Sequence, residues 1–184
     1  MLYNQPANEW YGKHMHPPIK NPDAIIDTAL ELLEAQGGDF WMLAKGESMS
    51  PLIRDGDRIQ VRPFQAPPQS GEILIFHRSN GLVAHRLLRL RHNRQGESVC
   101  LAQGDHALSP DPPLSLDQVA GRAVAVRRGE RELHLDTPAW QRVGGAVSAL
   151  QLVFSGLGES AWLRRSMRTL IGLLMKIYLR ISAL

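Results

Sequence analysis

Residues 71–90 read GEILIFHRSNGLVAHRLLRL, and this stretch decides the fold class. Glu72 to His77 and Leu82 to Leu90 are short apolar runs rich in β-branched and aromatic residues, the texture of two strands. Ser79-Asn80-Gly81 between them reads as a tight hairpin turn, because Asn-Gly readily takes positive φ. The same texture continues outward from Asp39 to about Asp136, where short apolar runs alternate with Gly, Pro, Asn and Asp. Further candidate strands are Phe40 to Ala44, Arg58 to Arg62, Ser98 to Ala102, Val119 to Arg127 and Glu132 to Leu135. Residues Ala66 to Ser70 and Leu108 to Pro113 are proline-rich connections, and no internal repeat is visible.

Helical patterns flank this β-rich region on both sides. Residues 1–20 have no steady period and are expected to form an extended arm. His14 and His16 lie in that arm without further ligands at metal-binding spacing, so they read as a solvated loop. Asn21-Pro22 then offers a helix cap with proline at the first helical position. Ile25, Ile26, Ala29, Leu30 and Leu33 follow at helical spacing before Gly37-Gly38, so an amphipathic helix is expected over 21–38. Beyond residues 39–136, a helical tail is expected over 137–184, loosely patterned through Gly156 and strongly from Glu159 to Ile181. On that last helix Leu163, Met167, Leu170, Ile171, Leu174, Ile177 and Tyr178 share one face, while Arg165, Arg168, Lys176 and Arg180 fall away from it.

With 184 residues, 43% of them hydrophobic, the chain can build one substantial core. Its only cysteine, Cys100, rules out a disulfide framework within the chain and reads as a small buried hydrophobe. The formal net charge of +3 is uneven. Residues 137–184 carry six Lys or Arg against Glu159 alone, a balance of +5 that leaves −2 for everything before it. A uniformly basic nucleic-acid-binding domain does not have this distribution, so no nucleic-acid partner is expected. No stretch offers the roughly 20 apolar residues needed to span a bilayer, and the N-terminus lacks the basic start and apolar run of a secretory signal. The expected location is therefore the cytoplasm, with the cationic tail as a candidate contact to the inner face of the membrane.

The chemistry is concentrated in Gly46-Glu47-Ser48-Met49-Ser50-Pro51-Leu52, followed by Asp55-Gly56-Asp57. Three further blocks follow in order: Gly71 to Phe76, Val83-Ala84-His85-Arg86-Leu87, and Gln103-Gly104-Asp105 with Asp111 after it. Gly121-Arg122 closes the series. Over about residues 39 to 127 these blocks resemble the S24/S26 peptidase superfamily, which includes signal peptidases and LexA-type repressors. That family has its nucleophile in a Gly-x-Ser-Met-x-Pro turn followed by a Gly-Asp pair. One such block is weak evidence, whereas several in the right order and spacing are specific.

The resemblance implies a LexA/signal-peptidase-like domain of coiled antiparallel β-sheet. Ser48 would be the nucleophile and His85 the general base, in the strand position that is lysine in the bacterial signal peptidases and LexA-type proteins. Histidine followed by arginine, as in His85-Arg86, is the pattern of the archaeal and endoplasmic-reticulum signal peptidases. A serine hydroxyl needs a base to accept its proton during attack. An imidazole, with an ordinary pKa near ~6.5, is already largely neutral at pH 7. By the same match Asp111 is the candidate to orient His85, and Asp105 the candidate to hold the loop; the choice between them stays open. Gly46, Met49, Pro51 and Asp57 are supporting positions, Asp57 through turn hydrogen bonds. His77, His92, His106 and His134 are assigned no chemical role.

Two departures bear on activity. Many signal peptidases carry serine where this chain has Gly46, so backbone N–H groups such as that of Ser48 would have to stabilise the oxyanion. The usual N-terminal membrane anchor is also missing from the pattern, and the cationic amphipathic helix over 159–181 could replace it on an anionic membrane surface. The leading expectation is a serine endopeptidase that cuts a peptide or precursor protein, with no metal or organic cofactor. A catalytically weak peptide-binding or scaffold member is the alternative. A LexA-type self-cleaving regulator is a third reading, disfavoured because only one clear helix precedes residue 39.

Overall fold

A computed structural model describes residues 38–78, 81–156 and 161–181. The arm expected over 1–20, nearly all of the helix expected over 21–38, and Ser79 and Asn80 at the hairpin tip lie outside the described residues. The described residues form an antiparallel sheet of eight strands: β1 (Phe40–Leu43), β2 (Arg58–Arg62), β3 (Ile73–Arg78), β4 (Gly81–His92), β5 (Ser98–Gln103), β6 (Leu114–Ser115), β7 (Val119–Arg128) and β8 (Arg131–His134). The strand order is β1-β2-β7-β3-β4-β5-β6, with β8 pairing β7. Two helices, α1 (Pro138–Gly156) and α2 (Ala161–Ile181), complete the described chain. The mostly β architecture expected from the sequence is the one observed, and it is consistent with the LexA/S24-like fold.

β3 is the spine. Ile73, Leu74, Ile75 and Phe76 are all buried to 1% exposure or less, so both faces of the strand are covered and its apolar run needs no polar alternation. Ile73 and Ile75 enter a large core with Ile59, Val61, Trp140, Ile171 and Met175. Leu74 and Phe76 enter a smaller one with Leu87, Cys100, Ala102 and Leu114. Alternate residues of one strand thus feed separate cores on opposite faces. Register shifts at Gln60/Val61, Ile75/Phe76 and Leu87/Arg89 add the local twist that coils the sheet. Cys100 sits in the smaller core, where burial raises its thiol above the ordinary value and keeps it neutral.

The helices cap the larger core. α1 approaches the start of β3 so closely that a Cβ on Gly71 would lie 2.4 Å from the backbone of Gly144 and Gly145. Glycine is required on this contact, and Gly71 also has φ +98°. Ser148 Oγ, fully buried, donates to the Leu87 carbonyl at 2.5 Å and ties α1 to β4. α2 packs through Ile171, Met175 and Leu179, with Tyr178 against Trp140 at 5.6 Å between ring centroids.

The single greasy face expected for α2 is divided. Ile171 and Met175 are fully buried, whereas Leu170, Leu173, Leu174 and Ile177 are 42–55% exposed. The apolar arc is wider than the flank of the domain it docks on, so only part of it is covered. The side chains of Leu163 and Met167 lie outside the described set. No helix among the described residues is long and apolar enough to cross a membrane.

Candidate active site

The Ser48 turn is held by a dense set of local bonds. Met49, Leu52 and Ile53 are buried in the larger core, so every residue between them is placed by its neighbours. Ala44 N donates to the Asp57 carbonyl at 2.7 Å and Gly56 N to the Ala44 carbonyl at 3.0 Å, closing the base of the loop. Ser50 N donates to the Glu47 carbonyl and Ile53 N to that of Met49; the Ser50–Pro51 peptide is cis. Gly46 has φ +83°, and its N–H donates to Asp55 Oδ1 at 2.8 Å. The glycine that stands where many signal peptidases have serine therefore has a backbone reason, since L-residues avoid that region.

Asp57 is more than a turn residue. Its Oδ2 accepts Arg54 N at 2.8 Å, and both its oxygens accept from Arg128 at 2.9 and 2.6 Å. Arg128 also donates to the Leu52 carbonyl at 3.0 Å. This fork clamps the turn to the end of β7 with a carboxylate only 3% exposed. Nothing in the sequence singled out Arg128, because its pairing spans 71 residues.

His85 lies on β4, opposite Leu74, with its ring edge-on to Phe76 at 6.0 Å. Its side chain is 12% exposed. Nδ1 lies 2.6 Å from Asp111 Oδ2, and Asp111 is positioned by its own N–H, which donates to the Ala102 carbonyl at 2.8 Å. In the neutral imidazole this contact places the proton on Nδ1 and leaves Nε2 with a free lone pair. Of the two aspartates left open by the sequence, Asp111 is the one on the imidazole.

Asp105 goes elsewhere. It receives Arg86 Nε at 2.8 Å and Nη2 at 2.6 Å, with both side chains fully buried. Arg86 Nη1 donates to the Gly71 carbonyl at 2.8 Å, and its guanidinium lies 5.4 Å from the centroid of the Trp140 ring. Asp105 N in turn points to Met49 Sδ at 3.4 Å. One buried ion pair thus joins the strand bearing His85, the loop beneath Ser48, the glycine at the start of β3 and helix α1. Sequence reading used Arg86 only as the partner of His85 in a motif; its burial depends on α1, which no spacing reveals.

Gly104 brings the two halves together. A Cβ there would lie 2.6 Å from the Ser48 carbonyl oxygen and 3.0 Å from His85 Nε2, so each atom is no farther from the other than the sum of those distances. His106 N donates to the Ser48 carbonyl at 2.8 Å and fixes the turn over this glycine. Ser48 itself is exposed. Among the described residues its Oγ makes no hydrogen bond to Nε2, a contact that in substrate-free enzymes commonly tightens only when substrate binds. We predict that Gly104→Ala separates the turn from the imidazole and lowers any Ser48-dependent turnover by about 10²-fold. Thermal unfolding and kinetics measured on the same sample check this; unchanged turnover would show that the seat is not critical.

A groove of about 390 Å³ runs up to Ser48 between Met42, Leu43 and Ala44 on one side and Leu82, Val83 and Ala84 on the other, with Ile53 and Ile59 in its lining. Among the described residues β1 pairs only with β2, and β4 pairs with β5 only from Arg86 onward. Both walls therefore present unpaired strand edges to the groove.

Among known families, the Peptidase S24-like model matches residues 12–103. No curated protein matches the chain. The match takes in Ser48 and His85 and ends one residue before Gly104, leaving Asp111 beyond it. Half of the sequence lies inside the match, including β1 to β5 and the whole of the clamped turn, and on that ground the chain belongs to the Peptidase S24-like family.

Proposed function

We propose that this protein is a serine endopeptidase of the histidine-base type, with Ser48 as nucleophile, His85 as general base and Asp111 as the residue that orients the imidazole. The observation that supports this most is the 2.6 Å contact of Asp111 with His85 Nδ1 while Nε2 faces the Ser48 turn across Gly104. In the first step Ser48 Oγ bonds to the scissile carbonyl carbon as its proton passes to Nε2, and the Ser48 N–H, which has no protein acceptor among the described residues, receives the oxyanion. Collapse breaks the C–N bond, and the proton moves from Nε2 to the leaving amine. Water, deprotonated by the same nitrogen, then hydrolyses the ester and regenerates Ser48.

The substrate is a peptide or precursor protein lying as an added strand in the groove between β1 and β4. The apolar lining from Met42, Ile53, Ile59 and Ala84 suits small uncharged side chains next to the cut. Cleavage of a precursor with alanines at the cut, assayed with wild type, Ser48→Ala and His85→Ala, tests the reading. Both variants are expected to lose at least about 10³-fold in kcat; equal cleavage by all three would end it. A peptide-binding member without turnover is the second reading. It is favoured by the absence of a direct Oγ to Nε2 hydrogen bond, and it predicts binding with no Ser48-dependent product.

The exposed stripe of Leu170, Leu173, Leu174 and Ile177 on α2, with Arg165 and Arg180 also exposed, supports contact with an anionic membrane surface, and we place the enzyme peripherally at the inner face of the cell membrane. Leu174→Ser/Ile177→Ser is expected to weaken flotation with phosphatidylglycerol vesicles by about tenfold or more, given roughly 0.8 kcal/mol per buried methylene. Flotation equal to wild type would remove the membrane from the account.

A further inference from the structure

Beyond the catalytic turn lies a second groove of about 410 Å³, bounded by Ser50, Pro51 and His106 on the domain and by Arg168, Gly172 and Lys176 on α2. It lies beside the Ser48 turn. Ser50 is two residues past Ser48, and the His106 N–H is bonded to the Ser48 carbonyl. No acidic residue lines this groove. Elsewhere in the fold five arginines pair with carboxylates, Arg62 with Asp39, Arg86 with Asp105, Arg122 with Glu72, Arg127 with Glu132 and Arg128 with Asp57, while Arg54, Arg58, Arg89, Arg91 and Arg131 have no ion pair among the described residues. Among the described residues, Arg168 and Lys176 likewise have no such partner.

The helix explains why these cations collect there. Positions 168, 172 and 176 repeat every fourth residue and form one line on α2. At about 100° per residue that line is turned away from Leu170, Leu174 and Ile177, while the exposed Leu173 borders the same groove. Gly172 sits between the two cations, and a Cβ there would meet nothing within 4 Å, so the slot between them is open. Arg168 and Lys176 line this groove beside the catalytic turn.

We propose that this groove is the subsite for an acidic side chain on the leaving-group side of the scissile bond. The proposal rests on the peptidase reading above and names its substrate class: a peptide with small residues before the cut and Asp or Glu within a few residues after it. A strand that fills the β1–β4 groove delivers its carbonyl to Ser48, and the chain beyond the cut then passes Ser50 and Pro51 toward the cations. A carboxylate there gains charge-assisted contacts to Arg168 and Lys176 in a partly enclosed slot, whereas a lysine would meet like charge.

The test uses the full chain and a peptide library randomised around a central Ala-Ala. Ser48-dependent products are sequenced, with Ser48→Ala as the blank. Wild type is expected to show Asp and Glu enriched after the cut, with kcat/KM for a Glu peptide about tenfold above its Gln counterpart at low salt and a smaller ratio as salt rises. In Arg168→Gln/Lys176→Gln the ratio should fall toward one, and in Arg168→Glu/Lys176→Glu it should invert in favour of Lys. Ser48-dependent cleavage with no acidic enrichment, or enrichment that survives Arg168→Gln/Lys176→Gln, would overturn the proposal. So would a loss of vesicle flotation in that variant with the Glu preference intact, since the cations would then serve lipid. If no Ser48-dependent product forms, the peptidase reading fails by itself, and the subsite is judged by anisotropy of the same Glu and Gln peptides on the intact protein. Tighter Glu binding that Arg168→Gln/Lys176→Gln removes supports the subsite, and equal binding overturns it.

Discussion

Arg86→Met is expected to destabilise the protein by about 3–5 kcal/mol, because it leaves the Asp105 carboxylate charged and unpaired in a site with no exposure. For a domain of this size that is a fall of roughly 10 °C in Tm. Asp105→Asn should act in the same direction by stranding the guanidinium. The pair itself need not be a net source of stability, since moving two ions out of water offsets much of their attraction. Arg86→Met/Asp105→Leu is therefore expected to be markedly less harmful than the sum of the single changes, a non-additivity that urea unfolding of the four proteins measures. Single changes of below about 1 kcal/mol would mean that water reaches the pair. The consequence for function follows from chain position. Arg86 adjoins His85 and Asp105 adjoins Gly104, so the ion pair holds the base and its seat in one rigid frame. Variants that stay folded should lose activity out of proportion to their lost stability.

Asp111→Asn is expected to lower kcat by about 10²–10⁴-fold with little change in stability. Asparagine can present its amide to Nδ1 and favour the tautomer with the proton on Nε2, which cannot then accept from Ser48. The side chain is 21% exposed, so the change leaves no deeply buried charge unpaired. Asp111→Ala should be less harmful to the tautomer than asparagine, although it frees the ring to rotate. Comparison of the two variants therefore separates orientation from mere contact. Equal activity of wild type and Asp111→Asn would remove this carboxylate from the mechanism.

The β-rich region was legible because its signals are local. Two apolar runs in succession mark β3 and β4, which pair from Ile73↔Arg86 to Arg78↔Gly81. The two-residue β6 (Leu114–Ser115) and the 3-10 turn at Leu116–Gln118 were not, since a strand so short is defined by its partner β5 and not by its own composition. Helix α1 read as loose because Gly144 and Gly145 interrupt its pattern, yet Gly144 is what allows the helix to touch Gly71. The same limit applies at the site. The family resemblance pointed to Ser48 and His85 and left Asp111 and Asp105 open, whereas the roles of Gly104, Arg86 and Arg128 depend on contacts between segments far apart in the chain. The cations of α2 were visible as one helix face, but only docking reveals that Arg168 and Lys176 look toward Ser50 and His106.

The most direct measurement is mass spectrometry of the protein quenched during turnover of an alanine-rich precursor. The account predicts a transient ester on the proteolytic fragment containing Ser48, heavier by the mass of the substrate portion before the cut, and none in His85→Ala. An acyl group on any other residue, or product formed by Ser48→Ala at the wild-type rate, would contradict it.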